Sequence, residues 1–127
     1  MVKIEVSNGE IVDRAAILEI KFVFLSEPAK SSVRKEHLEL VAMMRSFGID
    51  ADHVAYQELV QVNKKLWGAI DRQEGLLRSG DEKDPEFAKI SAEVVRLNRS
   101  RYELKKAIDE STNSFRREFK RESASWA

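Results

Sequence analysis

Five polar residues, Glu19, Asn63, Asn98, Arg101 and Lys105, make the strongest claim to chemistry in this sequence. Arg101 falls inside a run of core-type positions spaced by three and four: Phe87, Ile90, Val94, Leu97, Arg101, Leu104, Ile108, Ser111 and Phe115. That spacing is the seam of a packed helix, where an apolar side chain would be the ordinary occupant. A guanidinium there requires a partner. Two readings fit. In one, Arg101 and Lys105 grip the carboxylate or phosphate of a small anionic metabolite, sugar-linked ligands included, and Asn63 and Asn98 line an interhelical pocket. In the other, Arg101 meets Glu19 and Asn63 in a buried network that fixes helix register at some cost in stability. The second is favoured, and it predicts that Glu19 and Arg101 touch.

No other constellation competes with these five. His37 and His53 lack further ligands at a recognised metal spacing, so no metal is expected. No nucleophile, base and orienting group form a set, so no catalytic residue is assigned. There is no glycine-rich phosphate loop, and no cofactor is expected. The amides of Ser7-Asn8-Gly9 could hold an anion at a helix start, but the segment reads first as a capping box closed by Glu10. Arg96, Arg99, Lys105, Lys106 and a basic cluster at 116–121 could track phosphates. Glu93, Glu103, Asp109 and Glu110 interleave with them, and pairs such as Arg99–Glu103 favour a solvated face.

The elements that must position the five residues are helical. A first helix is expected over 8–25. Ile11, Ala15, Leu18, Phe22 and Leu25 form one apolar stripe and Val12, Ala16 and Val23 a second, which makes this helix central. Glu19 lies between the stripes. A second helix, 32–47, starts from a Ser31 or Ser32 cap and stops at Gly48. A third, 51–79, is capped by Asp50 and closed by Gly80. A fourth, 85–121, starts at Asp84-Pro85 and would be roughly 55 Å long. The short connection makes the last two antiparallel. Residues whose numbers sum to about 163–164 then share a level, which sets Asn63 opposite Arg101.

The fold class is therefore all-α. A long antiparallel hairpin (50–121) carries a short one (8–48), with an extended arm (1–7) before them and a tail (122–127) after, as a single domain. The arm alternates apolar and polar residues, with Val2, Ile4 and Val6 on one face, the period of a strand without an obvious partner. Phe115 and Phe119 would project beyond the third helix. Val2, Ile4, Val6, Phe115 and Phe119 are accordingly the candidate interface residues.

Composition narrows the function class. The 127 residues hold 22 Lys/Arg and 22 Asp/Glu, so nucleic-acid binding is not indicated. Cysteine is absent, which excludes disulfides and thiolate chemistry. Ile11–Leu25 is the most apolar stretch, but it is shorter than a span of roughly 20 residues and carries four charges. No signal core is apparent at the start. A cytoplasmic, non-membrane protein is expected.

Several segments together resemble a family of small bacterial and phage proteins of unknown function. They are Lys3-Ile-Glu-Val-Ser-Asn-Gly-Glu10, Ile17-Leu-Glu-Ile-Lys21, Val33-Arg-Lys-Glu36, Val62-Asn63, Leu66-Trp67 and Gly80-Asp81, then Asn98, Arg101, Leu104-Lys105 and Ile108. The similarity spans nearly the whole chain. It departs from the pattern at Phe22-Val23-Phe24 and over the final dozen residues. The resemblance implies a helical protein, found near polysaccharide-related genes, and supplies no activity or catalytic residue. The expected role is a non-enzymatic interaction or assembly module, homodimeric, with a further protein partner as an option. The alternative is the binder of, or helical enzyme acting on, an anionic metabolite.

Overall fold

A computed structural model of the chain describes residues 1–114, which form four helices: α1 (Asn8–Phe24), α2 (Ala29–Arg45), α3 (Val54–Arg78) and α4 (Pro85–Ser111). No strand occurs among the described residues, and the fold is all-α as expected. Residues 1–6 run as an exposed arm without regular structure, except that Val6 is half-buried. No helix among the described residues is long and apolar enough to cross a membrane.

Local signals set most helix ends. Gly80 (φ 73°) closes α3, with the Asp81 amide on the Leu76 carbonyl at 2.8 Å and the Gly80 amide on Leu77 at 3.1 Å. Gly48 closes the turn after α2 in the same way. A left-handed residue there lets two amides fold back on orphan carbonyls. Asp84 caps α4 through the Glu86 amide at 2.8 Å, with Pro85 in the first turn.

Three boundaries differ from expectation. α2 starts at Ala29, a turn before the serines; Ser31 bonds to Glu27 rather than capping. α3 starts at Val54 under a His53 cap, whose Nδ1 accepts from the Ala55 amide at 3.0 Å. Asp50 instead pairs with Arg45 at 2.9 Å. α4 ends at Ser111, ten residues before the expected end at 121. Asn113 takes a left-handed conformation (φ 51°) and the Ser114 amide bonds to the Asp109 carbonyl at 2.9 Å. Asparagine tolerates that conformation better than most residues, so Thr112-Asn113-Ser114 acts as a stop that the apolar spacing does not reveal. Phe115 and Phe119 lie outside the described residues.

α3 and α4 form the antiparallel hairpin in the expected register. Gln73 bonds to Ser91 at 3.0 Å, and Arg72 meets Glu93 at 3.4 Å. α1 packs against all three other helices, one neighbour more than its two stripes imply. It runs antiparallel to α4, with Gly9 against Asp109 and Asp13 against Arg101. The core lies where α1 crosses the hairpin: Val12, Ala15, Ala16, Ile20, Met44, Tyr56, Leu59, Val60 and Ile108. Val23, expected inside, is exposed.

Gly9 sets how close α1 and α4 come. A Cβ at this position would lie 2.4 Å from the Lys105 carbonyl oxygen and 2.9 Å from Asp109 Oδ1. Backbone cannot yield as a side-chain tip can. Gly9→Ala should therefore destabilise the protein by about 1–3 kcal/mol, the usual cost of overpacking, although alanine is the better helix former. Chemical denaturation measures this directly; an unchanged or raised midpoint would contradict the close packing.

Candidate functional site

The core-facing polar residues gather along α1. At its start, Ser7 Oγ accepts from the Glu10 amide at 3.1 Å, as the capping reading requires. Glu10 does not return to Ser7. Its carboxylate binds Lys105 Nζ at 2.7 Å and Arg14 Nε at 3.1 Å. Burial would raise the Glu10 pKa, but the hydrogen bonds and charges of Lys105 and Arg14 outweigh it and hold the carboxyl below its ordinary value. The free amides at this helix start do meet an anion, and it is internal: Gly9 N–H donates to Asp109 Oδ1 at 2.7 Å. The Asn8 amide donates to Ser114 Oγ at 3.1 Å, and its side chain to Thr112 Oγ1 at 2.9 Å.

One turn on, Asp13 has no exposed surface. Arg101 grips it with a fork: Nε lies 3.0 Å from Oδ1, and Nη2 lies 2.5 Å from Oδ2. Asn63 Nδ2 donates to the same Oδ1 at 2.9 Å and also to the Leu59 carbonyl. Asn63 and Arg101 thus share a level across the hairpin as the register requires. Their common partner corrects the expectation from sequence: it is Asp13, not Glu19. Glu19 lies nearly two turns further along α1, beyond the level of Arg101.

Glu19 belongs to another group. Its Oε1 accepts from Tyr56 OH at 2.9 Å, and Tyr56 OH lies 3.0 Å from His37 Nε2. With the phenolic proton committed to Glu19, His37 must carry hydrogen on Nε2 and donate it. Tyr56 is fully buried. Burial first, then the Glu19 carboxylate, push its phenol pKa well up, so it stays protonated. From sequence His37 was weighed only as a metal ligand and Tyr56 was not singled out; three residues on three helices leave no spacing signal. Asp13 was missed because one acid inside an apolar stretch reads as surface. Its flanking small residues, Gly9 and Ala16 at helical spacing, were the available clue to a close helix neighbour.

Asn98 is half-buried and takes no part in the hydrogen bonds of this network. Arg99 pairs with Glu103 at 3.1 Å, as expected of a solvated face. No group of three potential metal ligands occurs among the described residues. Of the surface clefts, one of about 640 Å³ lies between the end of α1 and α3, beside Glu19, Val23, Phe24, Lys64, Trp67 and Asp71. A second, about 670 Å³ and more open, runs between α3 and α4 past Val54, Lys65 and Leu104. A notch of about 220 Å³ joins Glu19 to Arg34 and His37. Glu19 borders the first and the third. None of these three is lined by Asn63, Asn98, Arg101 or Lys105.

A family model described as "Family of unknown function (DUF6165)" matches residues 2–124. The chain belongs to that family. No curated protein and no solved structure matches it.

Asp13 is fully buried and Arg101 half-buried, so removing the arginine strands a buried charge. Arg101→Leu should cost about 3–5 kcal/mol and Asp13→Asn less, and the double variant Asp13→Asn with Arg101→Leu should cost less than the sum of the singles. Denaturant titrations of the four proteins give the coupling; strict additivity would mean the fork carries no energy. His37 predicts a pH effect. Burial lowers its pKa below the ordinary 6.5, and the charge of Glu19 offsets only part of this. The unfolded chain therefore binds the proton more readily than the folded one. The contribution is complete above pH 6.5 and is lost as pH falls below it. Stability should decline on that side, and His37→Gln should flatten the decline; an identical slope in the variant would acquit His37.

Proposed function

We propose that this chain is a non-enzymatic interaction module that works by self-association, as a homodimer. The observation that carries this reading is the arm. Val2 and Ile4 are 89% and 76% exposed on a segment whose alternation suits a buried, extended partner role. Exposed apolar residues are ordinary when scattered. Here they sit on consecutive like-facing positions, which is how an extended segment presents one apolar edge.

The state of the polar residues supports the same reading. A ligand site built on Arg101, Lys105 and Asn63 needs their donors directed at a ligand. In this fold Arg101 and Asn63 converge on Asp13, and Lys105 on Glu10. Any anion entering would have to displace a carboxylate already held by two or three charge-assisted hydrogen bonds. The polar groups are better explained as the device that locks α1 to the hairpin.

Light scattering on a sizing column, over a wide concentration range, tests the proposal. A dimer is expected, and deletion of residues 1–6 should convert it to a monomer of unchanged helicity. A full-length chain that stays monomeric at every concentration would overturn the self-association.

A further inference from the structure

The first cleft is the strongest candidate for what the arm engages. Its floor and wall are apolar and aromatic: Val23 and Phe24 at the end of α1 are 71% and 74% exposed, and the Phe24 ring lies 5.7 Å from that of Trp67. Two carboxylates, Glu19 and Asp71, and one cation, Lys64, also line it. The rim is therefore net acidic. An occupant should bring apolar side chains and a positive charge. The arm Val2-Lys3-Ile4 has that composition, two β-branched apolar residues around a lysine.

The chain's own arm cannot fill the cleft. α1 rises about 17 Å from Asn8 to Glu19, at the near end of the cleft, and about 24 Å to Phe24 at its far end. From Ser7, even a fully extended chain carries Val2 back only about 17 Å, and Ile4 about 10 Å. The arm of a second copy has no such limit. We propose that residues 2–4 of one copy seat in the α1–α3 cleft of another, with Val2 and Ile4 on Phe24 and Trp67 and Lys3 toward Asp71 and Glu19. The exchange is reciprocal: each copy offers one arm and one cleft, so two contacts close a two-fold dimer without open ends. Seating an extended segment by its alternate side chains is a recurrent mode of peptide recognition. This inference rests on the self-association proposed above and adds the place where the arm binds.

Gly68 allows a direct test. It lines the cleft, and a Cβ there would meet only the Arg72 guanidinium, at an ordinary 3.7 Å. Gly68→Trp should fill the cleft while leaving helicity by circular dichroism intact. The dimer dissociation constant, from sedimentation equilibrium, should rise about tenfold or more, as for loss of one interface anchor. A charge exchange on exposed positions guards against misfolding of that variant. Lys3→Glu and Asp71→Lys should each weaken the dimer, and the double variant should restore it. A full-length dimer that arm deletion dissociates, but that Gly68→Trp leaves unchanged, would overturn the cleft assignment alone. So would Lys3→Glu and Asp71→Lys effects that simply add. A chain monomeric from the start would remove both this inference and the reading beneath it.

Discussion

A carboxylate without exposed surface is expensive unless cations and donors surround it. Asp13 is such a group, on the helix that touches all the others. Its partners arrive from both limbs of the hairpin, Asn63 from α3 and Arg101 from α4. Sliding either limb by one turn would strand the charge. The fork therefore fixes three helices in one register. Apolar packing alone does this less strictly, because neighbouring registers of Leu, Val and Ala bury similar areas. Buried polar groups used in this way trade stability for uniqueness.

The other polar contacts of α1 extend that logic along its length. Asp109 caps the helix start from α4, which needs the close approach that Gly9 permits. Lys105 reaches Glu10 just above. Glu19 then holds Tyr56, and Tyr56 holds His37, so a side-chain chain joins α1, α3 and α2. Each acid along α1 is met by a different neighbour. The helix is anchored at several heights, with an apolar core between them.

This division of labour bears on function. Polar residues in a helical core invite a reading as a binding site, since ligands and structural networks use the same side chains. What separates the two is where the donors point. Here they point at one another.

The sequence by itself determined the elements. Gly48, Gly80 and Asp84-Pro85 act through backbone geometry within a few residues, so their effects were legible without a fold. The hairpin register followed from loop length and helical rise, and it brought Asn63 level with Arg101. The need of Arg101 for a partner was legible too, because a guanidinium on an apolar seam is costly in any fold. Which acid answers it was decided only in the tertiary structure. Asp13 and Glu19 both lie on the apolar helix, six residues apart, and composition cannot rank them. The choice depends on how far α1 is shifted along the hairpin, and that shift is set by Gly9 against Asp109 and Lys105, a contact a hundred residues long in sequence. The Glu19–Tyr56–His37 chain has the same origin: hydrogen bonds across three helices exist only once packing has brought them together.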